Sequence, residues 1–575
     1  MIDNKYEKYS NDRKRLQDIG EAPDWLSTAG YQMLVDKKYL LDNETPNDAF
    51  IRLAKRASDL VPDTVNPELF GFDNWYDAFY NDLSKGWLSP STPVLSNLGT
   101  NRGHPIACSG TFVEDSIRGF YEARMEVAQL TQRGYGTSLD LSNIRHRGSP
   151  ISSGGKATGV TQLMNGIVKD MQEISQGTRR GSCGQYLDVL HPDFNEVNRQ
   201  LISDDEGLNI GWTITDEYEA LSTVNPERAD DIWKKMMKTK LTKGKGYFFF
   251  KDKVNRHRPK MYIDRGLSVS ASNLCTEIAL FADKDHTFSC VLSSVNISKY
   301  DEWKDSKLIE RSCIFLDAVI DDMLEKAEKE IGFEKIVRFT EKTRALGLGV
   351  LGLSTYYQMK GWSFGDIDSM GFNSRFFKQM KEKTLKASKY MAEVVGEPEW
   401  LKGYGERWSH RTALPPTMST SIIQGGVSLG IEPVFANVYV HDTSAGGVYR
   451  VNPPFLKLMK DKGVYSEETM TRIANNNGSV QDEDWLSKEE KLVFRTAFEV
   501  SQETILQMAA IRQQYICQGQ SINLFFDNKT TEREITRIHD IAFKDEMIHG
   551  LYYIRSLNGV AKHKASSDEC LSCHG

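Results

Sequence analysis

From Trp87 to about Tyr553 the sequence alternates short apolar runs with longer stretches of helical spacing, and nothing interrupts the alternation. The runs include Val94-Leu95, Tyr247 to Phe250, Leu274 to Leu280 and Val291-Leu292. Between them, residues such as Ile309, Cys313, Leu316, Ile320 and Met323 recur at the interval that lines one helix face. Each parallel strand pair needs a crossover connection, so this pattern predicts an α/β domain with many parallel strands. No repeat, low-complexity linker or Pro/Gly-rich seam divides it, which predicts one large domain over 87–553. Residues 1–86 are rich in charge and carry Leu53, Ala57, Leu60 and Val61 on one stripe, predicting a helical N-terminal region. Residues 554–575 are largely polar and aperiodic apart from two cysteines and predict a flexible tail.

Composition narrows the function. With 39% hydrophobic and 26% charged residues the chain is neither disordered nor fibrous. Its net charge of −7 gives no electrostatic reason for nucleic-acid binding, and the one basic cluster, Lys234 to Lys245, reads as a solvated helix face. No apolar run reaches the roughly 18 residues of a membrane span, and the N-terminus has no apolar core for a leader, so no membrane association and a cytoplasmic location are expected. There thiols stay reduced, and the 8 cysteines point to catalysis, redox exchange or metal rather than to structural disulfides.

Four motifs carry chemistry. Ser272-Asn273-Leu274-Cys275-Thr276-Glu277 sets an amide, a thiol and a carboxylate at alternate positions, which on a strand would place all three on one face. Buried together they would need partners, whereas around a ligand they supply a donor, a redox-capable sulfur and a base. Cys108 and Cys290 lie in apolar runs that read as buried strands, where an inert thiol is the ordinary reading. Pro416-Thr417-Met418-Ser419-Thr420-Ser421 opens an apolar segment with hydroxyls, either a phosphate cradle at a helix start or plain N-capping. Cys570-Leu-Ser-Cys573-His574 could suit haem, zinc with His563 and His574, or dithiol exchange; with neither a leader nor a hydrophobic core around it, a dithiol on a mobile arm reads best. A fifth match, Gly347-Leu-Gly349-Val-Leu-Gly352, fits the dinucleotide fingerprint GxGxxG. It follows a helical segment instead of a strand, so close backbone packing is expected.

In this order, GWLSPSTPVLSN, the Cys108 segment, QGTRRGSCGQYLDVLHPD, NLCTEIAL, CVLSSVNIS, RALGLGVLGL, PPTMSTS with SLGIEP, LYYIR and the dithiol tail resemble the large (catalytic, α) subunit of class I ribonucleotide reductase over four-fifths of the chain. The resemblance implies a ten-stranded α/β barrel, with a helical N-terminal region and a flexible redox tail, whose radical cysteine sits on a finger loop inside. It casts Cys275 as the thiyl-radical cysteine, Glu277 as the base for the 3′-hydroxyl, Asn273 as the orienting amide, and Cys108 and Cys290 as the pair that ends as a disulfide. Cys570 and Cys573 match the shuttle dithiol renewed by thioredoxin or glutaredoxin. Thr92, Thr417, Ser419 and Thr420 match positions that hold the diphosphate of a ribonucleoside diphosphate, and Ala107 and Gly134 match positions along the substrate.

Tyr552 and Tyr553 match the pair that brings the radical from a separate small (β) subunit, whose metal cofactor makes it; no metal or cofactor is expected on this chain. Asp115 and Arg145 match a specificity site for a deoxynucleoside triphosphate or ATP at a homodimer interface, and Ser175 to Gln185 a loop linking effector to substrate choice. Only 107 residues precede Cys108, so an ATP-cone is expected to be missing and dATP is not expected to inhibit through one. The alternatives are a cobalamin-dependent class II enzyme and an inactive nucleotide-binding redox homologue. Cys183, Cys313 and Cys517 receive no role, and Cys313 falls on a core stripe.

Overall fold

The structure, a computed structural model, describes residues 4–176, 179–203, 207–443 and 446–557. Helices open the chain, as the N-terminal pattern requires. Thr45 and Asp48 form a capping box, Pro46 occupies the first turn, and the helix Pro46–Leu60 buries Phe50, Leu53, Ala54 and Ala57. This region is tied to the rest by ions as well as by packing. Arg311 on the buried helix Leu308–Ala327 grips Asp82 of the helix Trp75–Ser84 through two bonds of 2.6 and 2.7 Å, and Arg56 reaches Asp322 at 2.7 Å.

The strand Phe288–Asn296 is the hub of the sheet, paired along both edges. Cys108–Phe112 lies antiparallel to its first residues and Leu88–Pro90 antiparallel to its last, while Leu346–Leu351 runs parallel on the opposite edge. From Cys108–Phe112 the sheet continues in parallel through Thr137–Asp140, Cys183–Asp188, Asn209–Ile214 and Tyr247–Phe250. From Leu346–Leu351 it continues through the parallel bridges Leu348↔Thr412 and Leu414↔Gln520 to Leu524–Phe526, which pairs in parallel with Ile554–Ser556. Gly550–Leu551, just upstream, closes antiparallel onto Tyr247–Phe250. The expected barrel is therefore built from two parallel halves that meet antiparallel at two seams.

Several expectations change at this level. Val94-Leu95 belongs to a helix, Thr92–Asn97, because Ser91 is extended at its N-cap and Pro93 presets the first turn. Leu274 to Leu280 forms no strand. The Gly347 to Gly352 motif is itself largely strand, and its glycines make room: a Cβ at Gly347 would stand 2.2 Å from Leu292 Cδ2 and 2.9 Å from Cys290 Sγ. Residues 554–556, expected to open a flexible tail, form a strand, Ile554–Ser556. In the basic cluster, Lys234 and Lys235 are exposed and paired with Asp230 and Asp231, but Lys240 is fully buried.

Candidate active site

Asn273 to Glu277 is a turn inside the barrel, not a strand. Thr276 N donates to Asn273 O at 3.3 Å, and Thr276 holds φ 67°, a left-handed conformation that costs a β-branched residue strain. Asn273 organises the turn from within: its Oδ1 accepts from Ile278 N at 3.1 Å, and its Nδ2 donates to Glu277 Oε1 at 2.9 Å and to Cys108 Sγ at 3.2 Å. Tyr186 Oη fixes the Asn273 carbonyl at 2.5 Å. Ser521 Oγ stands within 2.6 Å of Cys275 O and 3.0 Å of Glu277 Oε2. The amide and the carboxylate meet each other and the Cys108 thiol through a strained loop stapled by side chains, while the Cys275 thiol of the same loop meets Tyr552.

Burial governs the acid–base chemistry. Glu277 is fully enclosed, and desolvation pushes its carboxyl up to about 7, although bonds from its own backbone, Asn273 and Ser521 favour the carboxylate. A base poised there exchanges protons at neutral pH. Cys108 and Cys290 are directly opposed in register across the antiparallel seam. Such partners lie about 4.5–5.5 Å apart, within the Cα range of about 4.4–6.8 Å that a disulfide spans. Cys108 Sγ lies 4.0 Å from Glu277 Oε1, Gln518 Nε2 lies 3.5 Å from Cys290 Sγ, and burial pushes the Cys290 thiol up.

Cys275 Sγ lies 3.4 Å from Tyr552 Oη. The ring of Tyr552 stands 4.1 Å from that of Tyr553, centroid to centroid, and Tyr247 touches both, at 4.7 and 5.2 Å. Arg555 stands over the outer face of the group, 4.7 Å from the Tyr553 ring. Tyr552 is buried and Tyr553 half-buried, so the aromatic group leads from the thiol toward the surface.

The hydroxyl cluster opens the short helix Met418–Ile423, with Thr417 at its N-cap in a left-handed conformation of φ 53°. Thr417 Oγ1 accepts from Gly430 N at 2.7 Å, and Ser419 and Thr420 occupy the first turn. Thr420 lines a small cavity with Ser89, Pro90 and Leu95, which brings the cluster against the segment that carries Thr92. The Ser91 and Ser294 hydroxyls are buried without a hydrogen-bond partner. Ala107 O accepts from Gly136 N at 2.7 Å, so Ala107 and the turn at Gly134 (φ 105°) lie beside Cys108.

Asp115 and Arg145 also meet, in an ion pair of 2.7 Å that is partly exposed. Cys183 and Cys313 are buried. Cys517 is half-buried; its sulfur accepts from Arg411 N at 3.0 Å and lines a cavity of about 370 Å³ to which no residue of the turn contributes. Cys570 and Cys573 lie outside the described residues. Sequence reasoning gave no role to Tyr186, although it lies within the QGTRRGSCGQYLDVLHPD motif, nor to Tyr247, Gln518 and Ser521, which come from distant segments.

A family model described as the ribonucleotide reductase barrel domain matches residues 106–201, 200–401 and 398–554, and one described as the ribonucleotide reductase all-alpha domain matches 24–103. The chain belongs to the ribonucleotide reductase family. It is 31% identical over 523 residues to the putative ribonucleoside-diphosphate reductase large subunit of Frog virus 3 (isolate Goorha), covering 85% of this chain and 91% of that one. It is 26% identical over 640 residues to the large subunit of Invertebrate iridescent virus 3, covering 95% and 98%. Among solved structures, the Actinobacillus ureae class Id ribonucleotide reductase alpha subunit superposes with a TM-score of 0.84 at 34% identity, covering 94% of this chain and 98% of that one.

Proposed function

We propose that this chain is the catalytic large subunit of a ribonucleoside-diphosphate reductase that receives its radical from a separate small subunit. The observation that carries the reading is the contact of 3.4 Å between Cys275 Sγ and Tyr552 Oη, inside a cluster that also holds Glu277, Asn273 and Cys108, with Cys290 opposite Cys108.

In this reading the Tyr552 phenoxyl radical takes a hydrogen atom, one electron and one proton, from the Cys275 thiol. The thiyl radical then takes the 3′-hydrogen of the ribose. Glu277 accepts the 3′-hydroxyl proton and returns it when the 3′-ketone left after loss of water is reduced, and Asn273 orients the hydroxyls. Cys108 and Cys290 deliver two protons and two electrons: the 2′-hydroxyl leaves as water, a hydrogen replaces it on C2′, and the thiols end as a disulfide. The 3′-hydrogen returns from Cys275, which regenerates the thiyl radical. Enclosure of the whole cluster keeps water from the radical. The Cys570–Cys573 dithiol reduces the new disulfide by exchange and is itself renewed by thioredoxin or glutaredoxin.

Thr92, Thr417, Ser419 and Thr420 hold the diphosphate, and Ala107 and Gly134 flank the ribose. The Asp115–Arg145 pair takes a deoxynucleoside triphosphate or ATP as specificity effector. Next to it the helix Ile117–Gln132 exposes Ile117, Tyr121 and Met125 at four-residue spacing, an apolar stripe that supports homodimer formation. Among the described residues no helix is long and apolar enough to cross a membrane. The exchange chemistry proposed for Cys108, Cys290 and the tail dithiol suits a reducing cytoplasm.

The test is reconstitution with cytidine diphosphate, a dithiol and candidate small subunits, with and without adenosylcobalamin. Cys275→Ser should abolish turnover and retain substrate binding. Residual deoxynucleotide from that variant, or activity with cobalamin alone that survives Tyr552→Phe, overturns the reading.

A further inference from the structure

One buried cation has no place in the chemistry above. Lys240 sits in the last turn of the helix Pro226–Lys243, and its side chain is fully enclosed. Its ammonium donates to Tyr552 O at 2.7 Å and to Gly246 O at 3.1 Å, and stands 4.9 Å from the Phe248 ring centroid. Burial pulls this ammonium down to about 7. Enclosing an ion costs several kcal/mol, and an apolar side chain of similar volume is often neutral or stabilising in such a place. Packing alone would be served better by methionine.

The two carbonyls indicate what the charge does. Gly246 immediately precedes Tyr247, and the Tyr552 carbonyl lies between Tyr552 and Tyr553, so one ammonium joins the two backbones that carry all three packed rings. The segment has other anchors too: Tyr552 N donates to Ile522 O at 2.8 Å, Tyr553 N to Asn523 Oδ1 at 2.9 Å and Ile554 N to Gly244 O at 3.2 Å, and Gly550–Leu551 pairs with Phe248 and Phe249. The first two fix the Tyr552–Tyr553 segment to the second half of the barrel and the last two join its flanks to the neighbourhood of Tyr247, whereas Lys240 bonds at Tyr552 itself and at the residue next to Tyr247. The ring of Tyr552 must also keep its hydroxyl 3.4 Å from Cys275 Sγ, a distance set by that backbone.

We propose that Lys240 is a positioning residue for radical transfer, clamping Tyr247, Tyr552 and Tyr553 into one packed cluster aligned with Cys275. The proposal rests on the relay reading of Tyr552 and Tyr553 given above. A displacement of about 1 Å at a reacting centre can cost about 100-fold in rate. In the full chain reconstituted with its small subunit, Lys240→Met should lower kcat about 10- to 100-fold while KM for cytidine diphosphate stays within about 2-fold.

A purely structural defect would not move the second readout. With an easily oxidised tyrosine analogue at position 552, the trapped radical's β-methylene hyperfine splitting reports the angle of the ring to its backbone, and Lys240→Met should change it. Lys240→Gln, which keeps a donor without the charge, should fall between wild type and Lys240→Met in kcat. A Lys240→Met kcat within about 2-fold of wild type, or a lowered kcat with an unchanged splitting, overturns the proposal. If Lys240→Met does not fold, Lys240→Gln with wild-type kcat and splitting overturns it alone. Tyr552→Phe separates the two readings. If that variant turns over normally the relay itself falls, whereas an inert Tyr552→Phe beside a normal Lys240→Met sinks only the clamp.

Discussion

Replacing Glu277 with glutamine should separate activity from stability, in opposite directions and with a pH signature. The carboxyl is raised from 4.5 to about 7 by burial. At about 1.36 kcal/mol per unit, holding it ionised in the folded protein costs about 3 kcal/mol relative to the unfolded chain. Between pH 4.5 and about 7 the native state binds the extra proton, so this group's contribution to stability falls as pH rises through that window and reaches its full cost above it. Glutamine keeps the shape and an acceptor oxygen for Asn273 or Ser521, and carries no charge. Glu277→Gln should therefore be more stable than wild type by up to about 3 kcal/mol at pH 8, and the gain should vanish near pH 4.5, where both side chains are neutral. Its turnover should fall by at least about 100-fold, the usual contribution of a general base. Wild-type turnover, limited by the ionised carboxyl, should rise with pH through about 7. Paired unfolding curves at several pH values and a deoxycytidine diphosphate assay measure both. A stability gain that is the same at pH 5 and pH 8, or a variant with wild-type turnover, would refute the reasoning.

Two further outcomes follow from the seam and from the glycine strand. A single turnover without added reductant should leave a disulfide between Cys108 and Cys290, identified by peptide mass mapping, and Cys290→Ser should form none; a different cysteine pair in the wild-type map would count against the roles assigned. Gly347→Ala places a methyl 2.2 Å from Leu292 Cδ2 and 2.9 Å from Cys290 Sγ, so it should destabilise the protein by about 1–3 kcal/mol and slow disulfide formation. An unchanged melting temperature would show that the strand can move aside.

The helical stripe at Leu53 and Ala57 and the core helix over 308–327 were legible because amphipathic spacing is local, and burial follows from it directly. The finger was not. Polar residues at alternate positions fit a strand and fit a turn whose ends are drawn together, and the choice is made by Asn273 Oδ1 binding Ile278 N and by Ser521, 244 residues beyond Glu277. The family resemblance placed this segment on a loop where spacing alone did not. Lys240 misled for the same reason, since its buried partner Tyr552 is 312 residues away and the lysines earlier on its helix, Lys234 and Lys235, pair with Asp230 and Asp231 at the surface. Val94-Leu95 was too short a run for periodicity to decide, and the capping geometry around Pro93 decided it.

Cys108 and Cys290 belong to different halves of the barrel, so the bond proposed to form between them at each turnover would be a rivet between two otherwise non-covalent plates. It closes a loop of about 180 residues, a constraint worth about 5 kcal/mol in the chain-entropy account. On the proposed reading the enzyme alternates between a riveted and an open ring once per product. Its resting redox state sets how readily the seam can breathe, and the reductant that reopens the rivet also restores the freedom of the chamber in which the next nucleotide must settle.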